Sequence, residues 1–119
     1  VVDLRSIRPL DIDTIRESVE RTGRLVVVDN AHVVGGVSAE ITAAVLERSF
    51  ASFLESPVRM GFPDHPTPTS PALADGYYPL PEDIAARTAA VVGRPAAFTP
   101  AERGERRLDQ PDTSYQGPF

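Results

Sequence analysis

The aliphatic run LVVV, at residues 25–28, places the strongest constraint on what this chain folds into. A strand without polar alternation is typical of a sheet covered on both faces, as parallel sheets are. Segments with helical spacing of apolar residues stand on either side of the run. The first of them, residues 11–22, has Asp11 as a capping residue and Gly23 as a left-handed stop. The run therefore predicts a buried strand between two helices, as in a parallel α/β fold.

The remaining segments complete the predicted order of elements. We predict a strand at residues 1–7, a helix at 38–54, an edge strand at 58–62 and a last helix at 80–93. Between Pro57 and Pro81, seven prolines in 25 residues argue against a helix or a central strand and favour an extended loop. Three parallel strands form only a thin sheet, and the chain opens directly on a strand. We therefore expect further strands upstream or a partner layer.

The composition excludes several classes of site. The 119 residues include no cysteine, no lysine and only two histidines. These absences exclude thiol catalysis, thiolate metal sites, a Schiff-base lysine and a lysine-containing phosphate loop. A net charge of −5 argues against nucleic-acid binding, and no apolar run approaches the ~18 residues of a membrane span. Residues 94–119 have four prolines, four arginines and no apolar periodicity, which predicts a flexible tail or an arm that becomes ordered only on a partner.

Two candidate sites follow the central strand. Gly35 and Gly36 precede a helix, whose N-terminal amides can hold a phosphate or a carboxylate. A tight turn with close packing is the favoured explanation of the glycines, because no dinucleotide-binding glycine pattern and no ribose-binding acid accompany them. Asp29 and His32, with Ser38 as nucleophile, would suit a small hydrolase. The alternative is a histidine on a surface or an interface.

The proline-rich loop carries a second group of candidates. His65 lies among prolines, where no other members of a catalytic set are visible, so a residue without a catalytic role is the favoured interpretation. If His65 is functional, a subunit contact is favoured over proton transfer. Tyr77 and Tyr78 follow the loop and suit either packing or an interface anchor. The PxxP stretches at 63–66 and 68–71 suit either polyproline ligands or a structural loop.

Five stretches of the chain, read in order, carry a family resemblance. They are VVDLRSIRPLD, TGRLVVVDNA, GGVSAEI, SPVRM and PTPTSPALADGYYP, and the match that they carry covers residues 1–92. Together they resemble the C-terminal domain of transketolase-like thiamine enzymes, closest to the beta subunit of 2-oxo-acid dehydrogenases of the pyruvate, branched-chain or acetoin type. Val37 and Ser38 stand where that family usually has Phe and Gly, and Asp29-Asn30 replaces its pair of glutamates. These departures leave the substrate subtype open.

The resemblance implies a three-layer α/β/α domain at residues 1–93, with a mostly parallel sheet and without the family's first strand and helix. The family uses thiamine diphosphate and magnesium, held by domains with no counterpart in this chain, so no catalytic or cofactor residue is carried over.

The implied role is a non-catalytic assembly and docking domain of a cytoplasmic enzyme, in a homodimer or heterotetramer, with the acyltransferase core as a further partner. Neither nucleic acid nor a membrane is an expected partner. We expect the subunit interface at His32, Gly35, Gly36, His65, Tyr77 and Tyr78. The alternative is a free-standing α/β module that binds a phosphorylated small ligand at the Gly35-Gly36 turn.

Overall fold

A computed structural model describes residues 1–74 and 76–94. Its elements are α1 (Ile12–Thr22), β1 (Val26–His32), α2 (Val37–Ser49), a 3-10 turn (Phe50–Ser52), β2 (Val58–Phe62), α3 (Pro71–Ala74) and α4 (Pro81–Val91). The two strands pair in parallel, with Val26 opposite Val58. The predicted α/β class with parallel strands is confirmed. The tail predicted at residues 94–119 lies, apart from Arg94, outside the described residues, so the boundary after residue 93 stays a prediction.

Helix α1 begins and ends at the residues that its local sequence predicts. The Asp11 carboxylate accepts hydrogen bonds from the Thr14 backbone N–H at 3.1 Å and from the Thr14 hydroxyl at 2.6 Å. At the other end, Gly23 has φ 69°, and its N–H donates to the Val19 carbonyl at 2.7 Å. Both ends are thus fixed by contacts within a few residues of sequence.

The Asp11 cap predicts an acid-dependent loss of stability. The hydrogen bond from the Thr14 hydroxyl, and then the one from its backbone N–H, lower the pKa of Asp11 below its ordinary value. A carboxyl group whose pKa is lower in the folded state than in the unfolded state stabilises the fold. This stabilisation is fully present at a pH above the unfolded-state pKa and is lost as the pH falls through the folded-state pKa. We expect the urea-midpoint advantage of the native chain over Asp11→Asn to shrink between pH 6 and pH 3. A constant difference would contradict an ionised cap.

The core lies between the first two helices and one face of β1. Its buried residues are Ile15, Val19, Val27, Ile41 and Val45. Helices α1 and α2 therefore both pack on the face that carries Val27. On the other face Val28 is 45% exposed, so the predicted burial of this strand on both faces is wrong at Val28. None of the helices in the described ranges is long and apolar enough to cross a membrane.

The strand predicted at residues 1–7 is wrong. The segment has no strand structure, and Val1 and Ile7 are exposed. A strand needs a hydrogen-bonded neighbour, and no backbone hydrogen bond joins this segment to β1 within the described residues. The prediction rests on the apolar residues of the segment, and these do not supply that neighbour.

The ends of two other elements differ from prediction because of contacts between residues that are distant in sequence. β1 continues to His32, four residues beyond the predicted end, because His32 lies opposite Phe62 in the ladder. Helix α2 ends at Ser49 instead of residue 54, and the chain then turns so that the Leu54 N–H donates to the Gly23 carbonyl at 2.8 Å. The proline-rich loop contains the one-turn helix α3, which starts on Pro71, a position where proline is tolerated. Strand β2 and helix α4 lie where they were predicted.

Candidate functional site

The turn between β1 and α2 depends on its two glycines for different reasons. Gly35 has φ 72° and open space where a side chain would lie. Glycine is therefore favoured at this position by the left-handed backbone and not by crowding. Gly36 has an extended backbone, but a Cβ there would lie far inside van der Waals distance of the His32 carbonyl oxygen. Gly61 in β2 is confined in the same way by the Ala31 carbonyl. Sequence reasoning missed Gly61, although a glycine inside a strand often marks the close approach of another backbone.

A carboxylate already faces the N-terminus of α2. The Asp29 Oδ2 atom accepts a hydrogen bond from the Ser38 backbone N–H at 3.3 Å, and Asp29 is half-buried. A negative group at this end of a helix is stabilising, as a bound anion would be. A phosphate at the Gly35-Gly36 turn would therefore meet a like charge, which argues against the phosphorylated-ligand alternative.

The structure does not assemble Asp29, His32 and Ser38 into a hydrolytic set. The Nδ1 atom of His32 lies 2.8 Å from the Pro63 carbonyl oxygen. The Ser38 hydroxyl is fully buried and has no hydrogen-bond partner among the described residues. A serine nucleophile needs a base within hydrogen-bond reach and access to substrate. Neither condition is met, so the hydrolase hypothesis has no geometric support.

Five aromatic side chains instead form a continuous cluster at the carboxyl ends of the two strands. Phe62 is its centre, with ring centroids 5.1 Å from Tyr77, 5.3 Å from Tyr78 and 6.1 Å from His32. Tyr77 also lies 5.0 Å from Tyr78 and 5.1 Å from His65. Such spacings are those of favourable edge-to-face and tilted aromatic pairs. We call these five residues the aromatic cluster.

The aromatic cluster anchors the proline-rich loop to the sheet. Tyr77 is 2% exposed, and its hydroxyl lies 3.2 Å from the Thr67 hydroxyl and donates to the His65 carbonyl at 3.4 Å. The contact between His32 and Pro63 ties the start of the loop to β1. The loop is thus held from both sides while Thr67 and His65 themselves remain exposed.

Four of the six predicted interface residues belong to this cluster, and the other two adjoin it. His32, His65, Tyr77 and Tyr78 are members of the aromatic cluster. Gly36 approaches the His32 carbonyl, and Gly35 precedes it. Sequence reasoning missed Phe62, although its place at the end of β2 was a usable signal. The predicted residues therefore lie at one end of the sheet, and their role as an interface stays a prediction.

Comparison with known proteins gives a consistent result. The family model described as "Transketolase, C-terminal domain" matches residues 1–84. The acetoin:2,6-dichlorophenolindophenol oxidoreductase subunit beta of Cupriavidus necator is 47% identical over 87 residues, which cover 72% of this chain and 25% of that protein. The protein of the same name from Bacillus subtilis is 39% identical over 97 residues, which cover 81% of this chain and 28% of that protein. A pyruvate dehydrogenase E1 component subunit beta, also from Bacillus subtilis, is 49% identical over 73 residues, which cover 60% of this chain and 22% of that protein. The chain thus spans about a quarter of the length of these relatives.

Proposed function

Since this chain belongs to the family of transketolase C-terminal domains, we propose that it is a non-catalytic assembly domain of a 2-oxo-acid dehydrogenase beta subunit. The names of its relatives support this class, because acetoin and pyruvate enzymes occur among them as beta subunits. In this proposal the parent enzyme is cytoplasmic, its subunits form a homodimer or heterotetramer, and the acyltransferase core docks on the assembly.

The aromatic cluster is the observation that carries the proposal. Tyr78 and His32 are half-exposed, and they lie at the carboxyl ends of β1 and β2, where ring contacts and hydrogen bonds anchor the proline-rich loop. Aromatic side chains are enriched at the centres of protein interfaces, where they bury large areas at low entropic cost. No group in the described ranges forms a nucleophile–base pair at this end, so an interface role fits the residues better than catalysis does.

Thiamine diphosphate and magnesium belong, in this proposal, to parts of the enzyme other than this chain. Within residues 1–74 and 76–94, no group of three His, Asp or Glu side chains is arranged to hold a metal ion. The N-terminus of α2, which would suit a diphosphate, already faces the Asp29 carboxylate. The residues present do not fit the cofactor, and the decarboxylation chemistry is assigned to the rest of the subunit.

The test is assembly with the remaining parts of the enzyme. The mass of the chain is measured in solution, alone and mixed with the alpha subunit and the rest of the beta subunit, and thiamine-dependent decarboxylation is followed in the mixture. We expect a defined complex with activity. A chain that stays monomeric with every component would contradict the proposal.

Matched variants locate the contact. Tyr78→Ala removes a half-exposed ring of the aromatic cluster, and Phe50→Ala removes a 76% exposed ring in the 3-10 turn after α2. We expect Tyr78→Ala to weaken association about tenfold or more, as truncation of an interface anchor does, and Phe50→Ala to change it less than about twofold. Equal effects of the two variants would place the interface elsewhere.

A further inference from the structure

An arginine of β2 is held against the turn that follows β1. The Nη1 atom of Arg59 donates a hydrogen bond to the Val33 carbonyl oxygen at 2.7 Å. The N–H group of Val33 donates in turn to the Phe62 carbonyl oxygen at 2.9 Å, and Val33 directly follows His32 in the chain. Since Phe62 and His32 belong to the aromatic cluster, these bonds place the guanidinium of Arg59 beside that cluster.

The positive charge of Arg59 has no acidic partner in the described part of the chain. Arg59 is exposed, and within residues 1–74 and 76–94 its side chain makes one hydrogen bond and no ion pair. A guanidinium carries five N–H donors. Arg5 and Arg16, by contrast, each pair with a carboxylate close by in sequence. Arg59 therefore presents a charge whose position is fixed by Val33 and which the described residues leave unbalanced.

Apolar and aromatic side chains adjoin the residue that holds Arg59. Val34 follows Val33 in the turn and is 63% exposed, and His32 and Tyr78 of the aromatic cluster are half-exposed. We call Arg59, Val34 and the aromatic cluster the strand-end surface. Aromatic residues and arginine are enriched at the energetic centres of protein interfaces. A surface of this kind fits a protein partner that brings apolar side chains and a group to pair with the guanidinium.

We propose that Arg59 is the charged anchor of the strand-end surface and binds a carboxylate of a different subunit of the parent enzyme. This assignment rests on the proposed function, which places the subunit interface at the aromatic cluster. A guanidinium that a partner covers is strongly destabilising unless an acid pairs with it, and a carboxylate accepts two parallel N–H bonds from arginine. A second copy of this chain is disfavoured as the occupant, because two copies with a net charge of −5 each repel one another.

Neutralising Arg59 tests the proposal by the strength of assembly. Binding of the chain to the alpha subunit and the rest of the beta subunit is titrated for the native protein and for Arg59→Gln. We expect Arg59→Gln to weaken binding about thirtyfold or more, as the loss of one partner of a covered charge pair does. Arg59→Lys keeps the charge but not the planar guanidinium, so its binding should lie between the two.

Arg48→Gln is the matched control. Arg48 is also exposed and also donates to a backbone carbonyl, that of Ala44 at 2.8 Å, but it lies in the last turn of α2. We expect Arg48→Gln to change binding less than about twofold. Both Gln variants should keep urea midpoints close to the native one, because both positions are exposed. A loss of binding that only follows a lower stability of Arg59→Gln would contradict the proposal.

A coupling reaction identifies the carboxylate that Arg59 binds. The chain has no lysine, so Arg59→Lys introduces its only side-chain amine. A carbodiimide joins an amine to a carboxylate in direct contact, with loss of water. In the assembled enzyme we expect it to link position 59 of the Arg59→Lys chain to an Asp or Glu of the alpha subunit. Arg48→Lys should form no link at position 48, and peptide mapping locates both.

The outcomes separate this proposal from the proposed function. Equal binding of Arg59→Gln and Arg48→Gln, or no link at position 59 in the assembled complex, overturns the proposal. A link to the rest of the beta subunit or to a second copy of this chain gives the strand-end surface another occupant and also overturns it. In each of these cases the native chain still assembles, so the proposed function stands. A native chain that binds no component contradicts the proposed function, and the role of Arg59 with it.

Discussion

Replacing Gly36 by alanine is expected to destabilise the domain by about 3 kcal/mol. The new Cβ would press on the His32 carbonyl oxygen, which is a backbone atom at the end of β1 and cannot move aside as a side chain can. Overpacking of this kind typically costs about 1–3 kcal/mol, and a fixed neighbour puts the cost at the upper end. Urea denaturation of the native chain and the variant measures the difference, at unchanged slope if only the folded state is affected.

Gly35→Ala is the matched control for Gly36→Ala. Gly35 has φ 72° and open space around it, so alanine there bears only the cost of a left-handed backbone, about 1 kcal/mol. Gly36 has φ −77°, a value that any residue adopts. A larger loss of stability in Gly36→Ala than in Gly35→Ala would therefore show that the close approach of the His32 carbonyl costs more than a left-handed backbone does. The reverse ordering would show that His32 does not confine the turn.

The parts of the fold that sequence predicts well are those fixed by neighbours in sequence. Asp11 and Gly23 set the ends of α1 through contacts with Thr14 and Val19, all within a few residues. Residues 1–7 have an equally clear apolar pattern and form no strand, because strand formation depends on an edge supplied from elsewhere. Local signals are therefore sufficient for a helix cap and insufficient for an edge strand.

The candidate site shows the same division. His32, His65, Tyr77 and Tyr78 were each recognisable as unusual residues in a turn or a proline-rich loop. That they meet around Phe62 was not predictable, since the contact requires the parallel pairing of β1 and β2 and the return of the loop over their ends. The same holds for the Asp29 carboxylate at the N-terminus of α2, which joins residues nine apart across the turn. Sequence thus identified four of the five members of the aromatic cluster, but neither Phe62 nor their arrangement.

Replacing Tyr77 by alanine is expected to cost about 4 kcal/mol and to release the proline-rich loop. Tyr77 is 2% exposed. The centroid of its ring lies 5.0–5.1 Å from those of Phe62, His65 and Tyr78. Truncating a large buried aromatic side chain to alanine typically costs about 3–5 kcal/mol. Urea denaturation measures the loss, and amide exchange at residues 64–70 should become faster than in the native chain.

Two conservative variants separate the ring of Tyr77 from its hydroxyl. Tyr77→Phe keeps the packing but removes the hydrogen bonds to Thr67 and to the His65 carbonyl, so we expect a loss of about 1 kcal/mol. Tyr78→Phe removes a hydroxyl that makes no hydrogen bond within the described residues and should be close to neutral. If Tyr77→Phe were as damaging as Tyr77→Ala, the hydroxyl rather than the ring would hold the loop. If both Tyr77 variants were neutral, the proline-rich loop would not depend on the aromatic cluster, and the anchored loop on which the interface proposal relies would be absent.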